Sequence, residues 1–138
     1  MMHRFPIRVR YADTDRMGFA YYANYLRWFE IGRAEMLRSL GTTYHAVEES
    51  GTALPVVEAS CRYRKPALYD DLIAIETAVA RLSRATVRFE YRVVREADGE
   101  LLAEGHTEHC FLGEDGRPGR APAELQALLE RAPRVERT

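Results

Sequence analysis

The sequence predicts an α+β domain in which one long helix packs against an antiparallel sheet. Three observations carry this. A single window, from about Tyr22 to Leu40, repeats its apolar residues at helical spacing and stops at Gly41. Beyond Gly51 almost the whole chain alternates apolar and polar residues, as half-buried strands do. Short turn signals, Lys65-Pro66, Asp98-Gly99 and Asp115-Gly116, separate those stretches.

Phe5 to Tyr11 reads as the first strand, with Ile7, Val9 and Tyr11 alternating against Arg8 and Arg10. A turn, Asp13 to Gly18, feeds the helix. Tyr25, Phe29, Gly32, Met36 and Leu40 share one helix face. Gly32 costs up to about 1 kcal/mol of helix propensity against alanine, so a close approach to the sheet is expected there. Glu30 and Arg33, three apart, suit a surface or interface ion pair. A short helix over Tyr44–Glu49 ends at Gly51. Strands follow at Ala53–Arg64, Leu72–Leu82, Ala85–Glu96 and Leu101–Leu112, then a short amphipathic helix over Ala123–Arg131 and a charged, frayed tail, Pro133–Thr138.

The 138 residues read as a single domain, 1–138, long enough for a core without staples. A net charge of −1 argues against nucleic acid as a partner. Every basic residue except Lys65 is arginine, which leaves many forked guanidiniums able to meet phosphates. Cys61 and Cys110 are too few for a disulfide framework and read as small buried hydrophobes. The first residues lack the apolar stretch of a signal peptide, and no run suits a membrane span, so a cytoplasmic protein is expected. His106 and His109, three apart in a strand, face opposite ways and make a poor joint metal site. One helix cannot cover so long a sheet, and unpaired edges remain. Both features predict self-association as a symmetric dimer.

Chemistry concentrates in Tyr11-Ala12-Asp13-Thr14-Asp15-Arg16-Met17-Gly18. Two carboxylates sit in a tight turn directly before a helix start, where backbone N–H groups lack partners and carry partial positive charge. Such a terminus can hold a developing oxyanion, while a neighbouring carboxylate acts as base or nucleophile on the same carbonyl. The competing account of either aspartate is a turn former or N-cap. Tyr21, Tyr22, Tyr25, Trp28 and Phe29 either line an acyl pocket or pack in the core.

This block continues through Tyr21-Tyr22-Ala23-Asn24-Tyr25, Phe29-Glu30 and Arg33, and later through Tyr63-Arg64-Lys65-Pro66-Ala67, Asp71, Thr77 and Ala103-Glu104-Gly105-His106-Thr107. In that order and spacing it resembles the hotdog-fold acyl-CoA thioesterases, in particular the 4-hydroxybenzoyl-CoA thioesterase-like group with the small bacterial enzymes of Tol-Pal type. The resemblance implies a hotdog fold, one central helix wrapped by a curved antiparallel sheet of about five strands. It implies an acyl-CoA substrate, no cofactor, and a homodimer or homotetramer with active sites at the dimer interface. Asp15 matches the family's catalytic carboxylate, and the backbone N–H of Tyr22 its oxyanion donor. Some relatives carry histidine where this chain has Tyr22. Gly18 and Tyr25 fall within the substrate-binding block. Arg84, Arg117, Arg120 and Lys65 are the candidates for the coenzyme A phosphates.

A thioester suits so sparse a site. Its carbonyl is weakly resonance-stabilised, and the leaving thiol has a pKa of about 8.5, so no metal and no Ser–His–Asp array is required. The rival readings are a non-catalytic acyl-CoA or acyl-carrier-protein binding or partner-docking module, and a hotdog acyl-thioester dehydratase. The dehydratase needs a histidine paired with a carboxylate facing the substrate.

Overall fold

The computed structural model describes residues 2–135. Its elements run β1 (His3–Arg8), α1 (Asn24–Ser39), α2 (Tyr44–Glu49), β2 (Val56–Tyr63), β3 (Leu72–Leu82), β4 (Thr86–Arg95), β5 (Leu101–Leu112), β6 (Pro118–Gly119) and α3 (Ala123–Glu130). The five long strands form one antiparallel sheet in the order β1-β3-β4-β5-β2, and the two-residue β6 pairs with β5. The expected α+β architecture is therefore present. It is a hotdog fold, with α1 lying along the inner face of the sheet.

The helix meets the sheet through Tyr25, Trp28, Phe29, Gly32, Met36 and Leu37, all buried. Phe29 stacks flat on Tyr91 of β4, with ring centroids 4.3 Å apart. Gly32 is where the two layers come closest. A Cβ there would lie 2.5 Å from Thr77 Oγ1 and 2.6 Å from Ile75 Cγ2, so glycine's propensity cost is offset by the contact it permits. Inner-face strand residues Ile73, Ile75, Val79, Val87, Phe89, Val93 and Ala103 complete this core.

Several boundaries differ from the sequence expectation. The first strand ends at Arg8, because the Asp13 carboxylate accepts the Arg10 N–H and turns Tyr11–Asp13 into a short 3-10 helix. Tyr11 is consequently exposed. β2 begins at Val56, not Ala53, since Pro55 has no N–H to give the ladder; Ala53 keeps one isolated bridge to Leu112. Arg33 does not pair with Glu30. It turns inward and donates to the hydroxyls of Tyr44 (2.9 Å) and Tyr91 (3.4 Å). Both cysteines are only half-buried, Cys61 because β2 is an edge strand and Cys110 because it lies on the outer face of β5. The tail is not frayed at Pro133–Val135, where it pairs with Val79 at a bulge in β3. The remaining tail residues, 136–138, lie outside the described residues.

Candidate active site

The Asp13–Gly18 turn is built by its own backbone. Gly18 N–H donates to the Asp15 carbonyl at 3.0 Å, and Asp15 N–H donates to Phe19 at 2.9 Å. Gly18 has φ +81°, a conformation that closes the turn and that a side chain would strain. Asp13 is tied at carboxylate Oδ2 and at its carbonyl, while its Oδ1 has no partner among the described residues. Its carboxylate caps Arg10, and its carbonyl accepts both the Tyr21 N–H (2.7 Å) and the Asn24 side-chain amide (2.8 Å). Asp15 is half engaged. Oδ1 accepts the Met17 N–H at 2.9 Å, while Oδ2 has no partner among the described residues. One oxygen thus fixes the carboxylate and leaves the other for chemistry.

The chain reaches α1 through a tight turn in which Asn24 N–H donates to the Tyr21 carbonyl at 2.9 Å and Tyr25 N–H to the Tyr22 carbonyl at 3.3 Å. The helix therefore starts two residues later than the periodicity suggests, and Tyr22 precedes its N-cap, Ala23. The Tyr22 N–H has no acceptor among the described residues. It lies one residue ahead of the N-cap, beside the donors that the helix start itself leaves unpaired.

Asp15, Tyr22, Tyr25 and Lys65 line one cavity of about 350 Å³, together with Met17, Phe19, Ala20, Tyr63, Arg64 and Pro66. Its wall is mostly apolar, as an acyl or pantetheine chain would require. Tyr25 is buried, and its hydroxyl accepts the Ala67 N–H at 3.2 Å, so it serves both core and cavity. Burial raises its phenol pKa. Lys65 sits at the rim, 3.8 Å from Glu100. Gly18 shapes the turn without lining the cavity.

The three arginines proposed for phosphates are elsewhere. Arg84 lies in the β3–β4 turn, where its carbonyl accepts the Ala121 N–H, so Arg84 and Arg120 are neighbours. Arg117 is in the loop before β6. This group gathers where β5 ends, near Leu112, whereas Lys65 binds the β5 backbone at Leu102. Ten strand residues separate those points, roughly 30 Å of strand. Within one chain the arginines do not reach the Asp15 cavity.

A larger cavity, about 740 Å³, opens on the outer face, where Arg88, Glu90, Arg92 and His106 lie on β4 and β5. His106 donates from Nε2 to Glu58 (2.8 Å) and accepts at Nδ1 from Arg88 (3.1 Å). That hydrogen bond holds the Glu58 carboxyl below its ordinary pKa. This is the histidine–carboxylate pair a dehydratase would need. It sits on the face away from Asp15 with both ring nitrogens engaged. His109 is on the opposite, inner face, as its spacing from His106 requires.

A carboxylate beside a helix start, over an apolar cavity, on a helix-in-sheet scaffold, can be compared with known proteins. The profile of the thioesterase-like superfamily matches residues 9–130. The chain belongs to that superfamily. It is 42% identical over 92 residues to the acyl-CoA thioesterase YbgC of Haemophilus influenzae, covering 66% of this chain and 68% of that protein. It is 34% identical over 103 residues to the acyl-CoA thioester hydrolase YbgC of Escherichia coli O6:H1, covering 75% and 76%. Among solved structures, a hypothetical protein from Thermus thermophilus superposes with a TM-score of 0.88 at 38% identity, over 92% of this chain and 96% of its own. The DHNA-CoA thioesterase of Staphylococcus aureus does so with a TM-score of 0.81 at 31% identity, over 96% and 97%. Among the described residues no helix is long and apolar enough to cross a membrane.

Two residues of the site escape sequence reading. Asn24 joins the Asp13 turn to the helix start, and Tyr63 reaches the same place from β2. Asn24 stands in the resembling block, but only the folded turn shows that its amide meets Asp13. Tyr63 also stands in the resembling segments, but it is forty-one residues from Tyr22 and no local pattern shows that the two meet.

Proposed function

We propose that the chain is a cytoplasmic acyl-CoA thioesterase, in which Asp15 is general base or nucleophile and the Tyr22 N–H receives the oxyanion. One observation carries this reading. A carboxylate with one oxygen tied and one free shares a cavity with a residue whose N–H has no acceptor. The free oxygen can deprotonate water or attack the thioester carbonyl, and the orphan donor can take the charge that develops on its oxygen. The names of the relatives support the same substrate class.

The site is completed by a second copy. β2 is the outer strand of the sheet, and Val56, Val57 and Tyr63 on it are exposed. Two β2 edges pairing antiparallel would lay Val56 of the partner alongside Tyr63. Val56 pairs with His109, at the arginine end of β5. Antiparallel pairing thus carries the partner's arginine end towards the Asp15 cavity, which offers one account of why Lys65 and the arginines lie apart within one chain. Coenzyme A phosphates would then bridge subunits of a homodimer, or of a homotetramer built from two such dimers.

The deciding experiment is hydrolysis of a panel of short, long and aromatic acyl-CoA thioesters by the natural chain and by Asp15→Asn. The substitution keeps shape and removes basicity, so kcat is expected to fall by about 10²-fold or more. An Asp15→Asn protein as active as the parent would sink the assignment. A parent that binds acyl-CoA but turns over no thioester would instead indicate the binding module.

A further inference from the structure

Tyr63 spans from the edge strand to the start of α1. Its hydroxyl lies 3.0 Å from the Tyr22 carbonyl oxygen, and since a carbonyl only accepts, the phenol donates. The ring stands edge-on to Tyr25, with centroids 4.9 Å apart, and edge-on to Tyr22 at 6.4 Å. It lines the Asp15 cavity while remaining 46% exposed, so its hydroxyl is not a core-packing group.

We infer that Tyr63 is a positioning residue for the reaction, acting through Tyr22; the inference rests on the reading of the Tyr22 N–H as oxyanion donor. The direction of that N–H depends on the peptides flanking Tyr22. The peptide that carries the Tyr22 N–H is held through its carbonyl, which accepts the Asn24 N–H at 2.9 Å, and the peptide before that one is held by Tyr21 N–H on Asp13 (2.7 Å). The peptide after Tyr22 is held less well by its own helix, since Tyr25 N–H reaches the Tyr22 carbonyl only at 3.3 Å. The Tyr63 hydroxyl supplies the shorter bond. Without it the Tyr22 residue can rock about its Cα, and a donor aimed at the tetrahedral oxygen loses alignment. A hydrogen bond weakens steeply off-axis, so the transition state suffers more than the bound substrate. Desolvation pushes the Tyr63 phenol above its ordinary pKa, which keeps it a donor at neutral and alkaline pH.

The test is Tyr63→Phe, which retains both ring contacts and removes only the hydroxyl. Losing one such bond is expected to lower kcat about five- to tenfold. KM should stay within about twofold and the pH profile of kcat/KM should not move, a pattern that substrate-pocket damage would not give. A second variant carries the α-hydroxy acid at position 22, replacing the peptide N–H by an ester oxygen. The N–H has no partner among the described residues, so no donor that the fold uses is lost, although the Tyr21 carbonyl becomes an ester and accepts the Asn24 N–H more weakly. The ester alone is expected to reduce kcat by 10²-fold or more. Adding Tyr63→Phe to it should then cost almost nothing, because Tyr63 acts through the deleted donor. An undiminished kcat in Tyr63→Phe, a loss confined to KM, or losses that multiply in the double variant would each overturn the inference. If the ester is impaired and Tyr63→Phe is silent, the role of Tyr63 falls alone. If the ester is fully active, the oxyanion reading falls and takes this inference with it.

Discussion

The side-chain amide of Asn24 donates to the carbonyl oxygen of Asp13 at 2.8 Å, tying the first residue of α1 to the turn that carries Asp15. The same carbonyl takes the Tyr21 N–H, so the turn that carries Asp15 and the backbone leading into Tyr22 are set from one atom. Asn24→Ala removes the side-chain half of that tie. It is expected to cost about 1 kcal/mol of stability by urea denaturation and to lower kcat about tenfold, because catalytic groups need placing within a fraction of an ångström. Arg27→Ala is the control. Among the described residues the Arg27 side chain makes one hydrogen bond, to Asn24 Oδ1 at 3.4 Å and exposed, so stability should change by less than about 0.5 kcal/mol. Equal activity in the two variants would show that the tie is structural only.

The parts of this fold legible in the sequence are those whose ends carry their own punctuation. β3, β5 and α2 begin and end where alternation, Gly51 and Asp98-Gly99 place them. The errors arise where a side chain meets backbone at a distance the sequence does not display. Asp13 ends β1 early by capping Arg10, and Arg33 abandons Glu30 for the hydroxyls of half-buried Tyr44 and buried Tyr91. The site divides in the same way. Asp15, Gly18 and Tyr22 are local, so a motif locates them. Lys65 joins Asp15 and Tyr22 in the cavity through strand pairing. Tyr63 depends on how β2 crosses the helix start, and strand pairing leaves Arg84, Arg117 and Arg120 at the far end of β5, away from that cavity.

Behind α1 runs a hydrogen-bond chain whose direction is forced. His109 Nδ1 faces the Leu54 carbonyl at 2.9 Å, which only accepts, so Nδ1 carries the proton and Nε2 accepts from Thr107 at 2.8 Å. Tyr91 then donates to Thr107 at 2.5 Å, and Arg33 donates to Tyr91. Burial holds the neutral imidazole and depresses its pKa to about 4. Between that value and the unfolded value of 6.5, the unfolded chain binds a proton that the native protein refuses. Stability contributed by His109 is therefore intact above pH about 6.5 and lost as pH falls towards 4, by about 3 kcal/mol in all. His109→Asn keeps an N–H for Leu54 but does not titrate. Urea denaturation at steps between pH 7 and pH 4 should show a shallower decline in this variant, though a lower starting stability. Parallel declines would mean that His109 is not the titrating group.

The separation of Lys65 from Arg84, Arg117 and Arg120 along β5 gives a test of shared sites that needs no ligand structure. If the arginines of one subunit serve the Asp15 cavity of the other, Asp15→Asn and Arg84→Glu damage opposite halves of a site. Each variant alone is expected to be poorly active, the first in kcat and the second in kcat/KM at low substrate. Unfolded together and refolded, they form mixed dimers with one doubly damaged site and one intact site. Random pairing makes half the dimers mixed, so activity should recover to about a quarter of that of the natural chain. If Arg84 served its own subunit's cavity, every site in the mixture would carry one defect and no activity would return. Recovery also excludes the bland account of Arg84 as a solvated surface charge, because such a residue would give no defect to complement. Asp15→Asn combined with Arg84→Glu in one chain, refolded with the natural protein, sets the scale. There the two sites of a mixed dimer carry one defect each, so mixed dimers should be nearly silent, and only unmixed natural dimers should turn over substrate.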